Sequence, residues 1–169
     1  MKALWSGVVS ACLLVASSAA VAALSEKDRE FVHKAAADGM AEVELGKMAS
    51  KKASSPQVKQ FAERMVRDHS KANAELEKLA KAKGVAVPAR LDDKHAKLRD
   101  KLAGLSGKEF DRAYMDAMRE DHDKAVDLFK QQAEAGQDPA LRKFAGDKLS
   151  TLHAHKQQAD AKPEQTARK

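Results

Sequence analysis

The strongest pattern of apolar and polar positions lies between residues 56 and 83, where apolar side chains recur with the period of an α-helix. The apolar positions share one stripe: Val58, Phe61, Met65, Ala72, Leu76 and Leu79. Charged residues occupy the opposite face, and His69 interrupts the stripe near its middle. A buried imidazole needs partners for its ring nitrogens, because an unpaired buried polar group costs about 1–3 kcal/mol. His69 is therefore the first candidate for a functional residue.

The same period predicts a helix before this one. That helix begins at a Ser25 cap, with Asp28 at the third position after it, and continues to about Lys52. After a short turn, Ser55 as cap and Pro56 at the first helical position begin the helix that carries His69, and Gly84 is its expected left-handed terminator. So short a turn makes the two helices an antiparallel pair.

The remaining chain predicts a second hairpin and a long connection to it. Residues 85–107 contain a short amphipathic helix from Asp92 to Ala103. A capping box at Ser106–Glu109 begins the third long helix, which ends near Ala135, and Asp138–Pro139 begins the fourth. The connection is longer than antiparallel neighbours require. It allows the third long helix to start at the same end of the molecule as the second.

An internal repeat supports this arrangement. One constant offset superposes similar residues of segment 43–47 on 126–130, and of segment 56–62 on 139–145, without gaps. Two similar hairpins joined by a long crossover form a four-helix bundle with approximate two-fold symmetry. The prediction is an all-α, ferritin-like four-helix bundle with one short extra helix in its crossover. The second and third long helices are expected to run parallel.

Residues 1–23 have the features of a secretory signal peptide. Lys2 supplies the positive end, residues 8–16 form a short apolar run, and Val21–Ala23 is a small-residue cleavage site. Cys12 leaves a lipoprotein signal open as the less favoured alternative. We therefore expect a signal peptide over 1–23, a ferritin-like domain over 24–160 and a disordered polar tail over 161–169. The mature protein is expected in the periplasm, without a membrane span and without cysteine.

Composition narrows the classes of function. The formal net charge is +6, but lysine and glutamate are interleaved along the chain, as is typical of solvated helix faces. Aromatic residues make up only 4% of the chain and no basic stripe is evident, so nucleic-acid binding is not expected. The absence of a Gly-rich phosphate loop and of a nucleophile elbow favours a non-enzymatic protein. The oligomeric state stays open.

Polar residues from all four long helices are predicted to reach one level of the bundle, since a helix rises by about 1.5 Å per residue. These residues are Glu42, His69, Asp121, His122 and His155. Such donors suit one divalent ion of zinc, iron, manganese or copper, with Asp68 and Tyr114 as supporting residues. A di-iron site is disfavoured because Val66 and Leu152 stand where its Glu-x-x-His motifs need glutamate. Ligation requires neutral imidazoles, so affinity is expected to fall below about pH 6.

Several of these residues belong to motifs of a known family. The motifs are Met65-x-x-Asp68-His69, Leu105-Ser106-Gly107-x-x-Phe110-Asp111-x-x-Tyr114, Asp121-His122 and His155. In these motifs the chain resembles the exported bacterial family DUF4142, which is grouped with the ferritin-like folds. The resemblance spans about Ser25 to Asp160 and departs from the family pattern at Ser150, where proline is expected. It implies the bundle fold and export, and it implies no established activity.

Two other interpretations of the polar residues stay open. In the first, they form a purely structural network, with His69 bonded to Glu42 or Asp121, and the protein is a periplasmic stress or holdase-like interaction protein. In the second, a methionine and His155 hold a b-type haem without covalent attachment. The Tyr114 hydroxyl is expected to reach a buried carboxylate. The remaining histidines are expected at the surface: His33, His95 and His153.

Overall fold

The computed structural model describes residues 24–161, and these form five helices. The helices are α1 (Glu26–Lys52), α2 (Pro56–Ala82), α3 (Asp93–Ala103), α4 (Gly107–Ala135) and α5 (Pro139–Asp160). Within residues 24–161 there is no strand, and no helix is long and apolar enough to cross a bilayer. The predicted helix boundaries are confirmed. The predicted signal peptide, and the tail from residue 162 onward, lie outside the described residues.

The four long helices form two antiparallel hairpins, and α3 lies in the crossover between them. Helix α1 packs along α2, and α4 packs along α5. The turn before α2 contacts Asp111 near the start of α4. Helices α2 and α4 therefore begin at the same end of the bundle and run parallel. The all-α, ferritin-like bundle with a long crossover is confirmed.

Side-chain caps and one glycine set several of the helix ends. The Ser25 hydroxyl accepts a hydrogen bond from the Asp28 amide at 3.1 Å, as the sequence predicts. At the start of α5, the Asp138 carboxylate accepts from the Leu141 amide at 3.0 Å. Gly84 adopts a φ of 67° just beyond α2, so the predicted left-handed terminator is also confirmed.

At two predicted caps the serine occupies the cap position as expected, but its side chain makes no capping hydrogen bond to the helix. The Ser55 hydroxyl donates to Gln57 Oε1 at 2.8 Å and does not cap α2. Asp111, which is distant in sequence, accepts the Ser55 amide instead. The Ser106–Glu109 capping box is not formed, because Gly107 turns the chain there with a φ of 58° and the first side chain of the box accepts no amide.

Two buried aspartates tie each hairpin to the turn of the other hairpin. Asp111 of α4 accepts hydrogen bonds from the amides of residues 54 and 55, at 2.9 and 2.8 Å. Asp28 of α1 accepts from the amides of residues 137 and 138, both at 3.1 Å. The offset of the internal repeat, which superposes residue 43 on residue 126, also superposes Asp28 on Asp111. It superposes residues 54 and 55 of one turn on residues 137 and 138 of the other. The sequence repeat therefore has a structural counterpart, a reciprocal pair of aspartate clamps.

Hydrogen bonding keeps the Asp28 clamp charged. Burial raises the pKa of Asp28, but hydrogen bonds from Gln132, from Ser25 and from the two turn amides outweigh it and hold the pKa below its ordinary value. The side-chain amide of Gln132 donates to Asp28 Oδ1 at 2.7 Å, and Asp28 itself is 1% exposed. The clamp is therefore a satisfied buried carboxylate.

The apolar core consists of two clusters separated by a polar layer. One cluster lies toward the α4–α5 turn and includes Phe31, Leu76, Phe129, Leu141 and Phe144. The other lies toward the α1–α2 turn and includes Leu45, Phe61, Met65, Phe110, Tyr114 and Met118. On every long helix, one residue between the two clusters is polar: Glu42, His69, His122 or His155. These four residues form a polar layer at one level of the bundle, apart from the buried aspartates at the two turns.

We predict that removing either clamp destabilises the bundle. Asp28→Ala and Asp111→Ala each leave two turn amides unpaired, so each variant should lose about 2–4 kcal/mol of unfolding free energy in urea melts. Glu30→Ala is the matched control on α1, because Glu30 is exposed and pairs with the exposed Lys34. That control should lose no more than about 0.5 kcal/mol. Equal losses in all three variants would contradict the role of the clamps.

Candidate metal centre

Three imidazole rings meet between the two apolar clusters. They belong to His69 of α2, His122 of α4 and His155 of α5, and their ring centroids lie 5.3–5.5 Å apart. One ring nitrogen from each lies within 4.8 Å of the other two. Within residues 24–161, no other group of three histidine, cysteine or acidic side chains brings its donor atoms so close together. We refer to these residues as the trihistidine group.

Hydrogen bonds fix the tautomers of two rings. His122 Nδ1 lies 2.8 Å from the carbonyl oxygen of Met118, which can only accept, so this nitrogen carries the proton. His155 Nε2 lies 2.8 Å from Asp68 Oδ2 and donates to that carboxylate. The lone pairs are left on His122 Nε2 and His155 Nδ1. Both nitrogens are buried and make no hydrogen bond within the described residues, and the same is true of His69 Nε2.

All three imidazoles are held in the neutral form. Burial, together with the neighbouring rings, lowers the pKa of His69 well below its usual value. Burial lowers the pKa of His122 to about 4 and also lowers the pKa of His155, although Asp68 opposes the second shift. Neutral imidazole is the form that ligates metal. The sequence predicts that metal affinity falls below about pH 6. Because the pKa values are lowered, we expect this fall at a lower pH.

The arrangement has the size and chemistry of a mononuclear metal site. A triangle with sides of 4.8 Å has its centre about 2.8 Å from each corner, which is an upper limit for the three nitrogens. Metal–imidazole bonds are about 2.0–2.1 Å long, so small side-chain rotations close the remaining gap. The hydrogen bonds to a carbonyl and a carboxylate on the far sides of two rings are those that typically orient ligating histidines.

Two of the five residues predicted for the site lie beside the trihistidine group and outside it. Glu42 Oε1 is 3.5 Å from His122 Nδ1, on the protonated side of that ring, and in the described part of the chain Glu42 Oε2 has no hydrogen-bond partner. Asp121 precedes His122 on the helix, so its side chain points elsewhere and pairs with Lys94 at 3.4 Å. The structure thus places two carboxylates next to the imidazoles without making them part of the same donor set.

The two residues predicted as supporting have different surroundings. Asp68 contacts His155 directly, although its own side chain is 39% exposed. Tyr114 is fully buried and stacks on Phe110, but its hydroxyl has no hydrogen-bond partner among residues 24–161. The expectation that this hydroxyl bonds to a buried carboxylate is wrong. Burial, and then the charge of Glu42, raises the pKa of Tyr114 well above its usual value.

Comparison with known proteins assigns the chain to a family. The family model described as "Domain of unknown function (DUF4142)" matches residues 13–161. The chain belongs to the DUF4142 family. The resemblance found in the sequence motifs is therefore confirmed. No curated protein matches the chain in sequence.

Solved structures show that this DUF4142 protein shares its fold with other helical bundles. A DUF305 fragment from Deinococcus radiodurans aligns with a TM-score of 0.74 at 13% identity, covering 85% of this chain and 99% of that one. CopM in its Cu(II)-bound form aligns with a TM-score of 0.70 at 22% identity, covering 82% and 96%. The apo form of CopM aligns with a TM-score of 0.65 at 23% identity, covering 78% and 92%.

One histidine of this DUF4142 protein does not lie where the sequence analysis expects it. His33 and His153 are exposed as predicted, but His95 on α3 is only 2% exposed. His95 Nδ1 lies 2.9 Å from Asp92 Oδ1, and Nε2 lies 3.5 Å from Asp38 Oδ1 on α1. Leu102, which is fully buried, lies two helical turns after His95 and therefore on the same face of α3. This spacing is the signal in the sequence that could have placed His95 on the inner face.

We predict that Glu42 gives the metal-free protein a pH-dependent loss of stability. Burial, and then the charges of Asp121 and Asp38, raises the pKa of Glu42 well above its usual value. The folded protein thus binds the proton more tightly than the unfolded chain, so stability declines as the pH rises above about 4.5. The free energy of unfolding of Glu42→Gln, relative to that of wild type, should therefore increase as the pH rises from about 4 to 7, by up to about 1.4 kcal/mol per pH unit.

Urea unfolding of both proteins at several pH values measures this difference. Glu44→Gln, at a half-exposed position close by on α1, is the control and should follow wild type at every pH. A stability difference between Glu42→Gln and wild type that stays constant with pH would contradict the argument.

Proposed function

We propose that this protein is an exported helical bundle that binds one transition-metal ion, copper in the first instance, at the trihistidine group. A single observation carries the proposal. One ring nitrogen from each of the three histidines lies within 4.8 Å of the other two, and each histidine has a buried ring nitrogen without a hydrogen-bond partner among residues 24–161. An unpaired buried polar atom costs about 1–3 kcal/mol, and a metal ion would satisfy three such atoms at once.

Ligand chemistry favours copper among the ions that the sequence leaves open. Neutral imidazole suits copper, zinc and iron better than it suits manganese, which prefers oxygen donors. For nitrogen donors the divalent series reaches its highest affinity at copper. The structural neighbour CopM is described in Cu(II)-bound, Cu(I)-bound and Ag-bound forms, which supports the same choice for this chain.

The surrounding residues have separate roles in this proposal. His69, His122 and His155 would hold the ion, and the Met118 carbonyl and Asp68 orient two of their rings. Bound copper would supply a Lewis acid at a level between two apolar clusters. The proposal is one of metal binding, and the sequence offers no second set of glutamates for a dinuclear oxidase.

Export is the second part of the proposal. The basic residue near the start, the apolar run and the small-residue cleavage site over residues 1–23 support removal of a signal peptide after Ala23. The folded domain would then span residues 24–160, followed by a polar tail over residues 161–169. A periplasmic protein meets incoming metal ions before cytosolic proteins do, so this location agrees with metal binding.

We predict that copper stabilises the wild-type protein. With free metal at about 100 times the dissociation constant, the free energy of unfolding rises by about 2.7 kcal/mol. For a domain of this size that corresponds to an increase in Tm of about 5–10 °C. His69→Leu should lose this increase. The metal-free variant should be at least as stable as wild type, because leucine replaces a buried nitrogen that has no partner.

Thermal melts with copper, zinc, iron and manganese, together with elemental analysis, measure these effects. His153→Ala is the control, since His153 is exposed and should not affect the response to metal. An equal increase in Tm in wild type and His69→Leu would place the ion elsewhere. If no metal raised the wild-type Tm, the polar layer would be structural, and the protein would be better understood as a helical interaction protein.

We predict that the exported chain begins at or near Leu24. Expression of the full chain in a bacterium with an outer membrane, followed by intact-mass analysis of the periplasmic fraction, should give the mass that remains after loss of residues 1–23. Two results would contradict this prediction. One is a chain in the membrane fraction that begins at a diacylated Cys12, and the other is a full-length chain in the cytosol.

A further inference from the structure

A cavity of about 330 Å³ lies beside the trihistidine group, and all four long helices line it. His69 and His155 form part of its wall, whereas His122 is not in that wall. The side of the cavity away from the histidines is apolar and includes Leu76, Phe129 and Phe144. An ion held by the three imidazoles would therefore be reached from this cavity.

The cavity is acidic although the protein is basic. Five carboxyl groups and two lysines line it, in a chain whose net charge is +6. Three of the carboxyl groups line the side nearest α3, although within residues 24–161 only the trihistidine group brings three donor atoms within 4.8 Å of one another. Asp38 and Glu42 lie one turn apart on α1, and Asp121 faces them from α4. A cleft with an excess of one charge sign raises the local concentration of counter-ions and the rate at which they enter.

The innermost of these carboxyl groups has an unsatisfied oxygen. Glu42 is 5% exposed and lines the cavity, and its Oε2 makes no hydrogen bond to any residue from 24 to 161. Its other oxygen lies 3.5 Å from His122, so Glu42 borders both the cavity and the trihistidine group. Asp121 raises the pKa of Glu42, after the larger effect of burial, which agrees with the closeness of the two groups.

A lysine from the crossover supplies a positive charge to the same group. The ammonium of Lys94 lies 3.4 Å from Asp121 Oδ1, and the lysine side chain is 58% exposed while Asp121 is 13% exposed. His95, the next residue, contacts Asp38 at 3.5 Å. A flexible, exposed ammonium at a nearly buried carboxylate is a counter-ion that another cation can displace.

We propose that Asp38, Glu42 and Asp121 form an entrance site for a divalent metal ion, which displaces the Lys94 ammonium and passes through this site to the trihistidine group. The proposal rests on the proposed function for its destination. The entrance site itself offers only oxygen donors, so it should accept hard cations such as Mn²⁺ weakly, and the histidines should hold copper tightly.

Stopped-flow measurements of copper uptake by the full chain test the route. Asp38→Asn/Asp121→Asn should slow uptake at least tenfold at low salt, and Lys94→Gln should speed it several-fold. Because neither variant changes a histidine, the copper affinity at equilibrium should stay within about threefold of wild type. Lys34→Gln is the control, since Lys34 is exposed, pairs with Glu30 and does not line the cavity. Unchanged uptake rates in both test variants would overturn the proposal.

Binding of Mn²⁺, followed by its electron paramagnetic resonance signal, tests the entrance site without the histidines. Wild type and His69→Leu should bind Mn²⁺ alike, and Asp38→Asn/Asp121→Asn should bind it at least tenfold more weakly. If copper binds no variant but Mn²⁺ follows this pattern, the proposed function fails and the entrance site stands. If copper binds the histidines but Mn²⁺ affinity is the same in all variants, the entrance site is overturned and the proposed function stands.

Discussion

The reciprocal aspartate clamps are the constraint on which the rest of this structure depends. Asp28 and Asp111 each accept two turn amides of the opposite hairpin, and they do so at positions related by the internal repeat. The clamps sit at opposite ends of the bundle, so together they fix how far one hairpin can slide along the other. A slip of one helical turn would move an imidazole by about 5.4 Å, which exceeds the 4.8 Å separation of the three nitrogens. The alignment of the trihistidine group therefore depends on contacts made far from it.

The polar layer is unfavourable for folding and is tolerated because apolar clusters lie on both sides of it. Burial keeps the three imidazoles neutral and raises the pKa of Glu42. Several polar atoms of these four side chains have no hydrogen-bond partner within the described residues. Replacing such groups with well-packed apolar side chains is often neutral or stabilising. The two clusters above and below the layer, rich in phenylalanine, leucine and methionine, supply the favourable burial that offsets it. The layer thus agrees better with a binding role than with a stabilising one.

Local signals in the sequence predict most of the fold. The signals that begin and end the helices each act within a few residues: the Ser25 cap, the prolines at Pro56 and Pro139, and Gly84. The period of the apolar residues shows which face of each helix is directed inward. The clamps escape this reasoning because each joins residues more than fifty positions apart. For the same reason, helical position predicts that His122 and His155 reach the level of His69, but it does not distinguish His122 from its neighbour Asp121. Only the packing of α4 decides that the imidazole faces inward while Asp121 meets Lys94.

In the proposed function, three imidazoles, one from each of α2, α4 and α5, hold a single metal ion. A crystal structure of the copper-loaded protein, with anomalous diffraction measured at the copper absorption edge, tests it most directly. The account predicts one strong peak about 2.1 Å from His69 Nε2, His122 Nε2 and His155 Nδ1, with the Asp68 and Met118 hydrogen bonds retained. A peak confined to surface side chains, with the three rings still apart, would contradict the account.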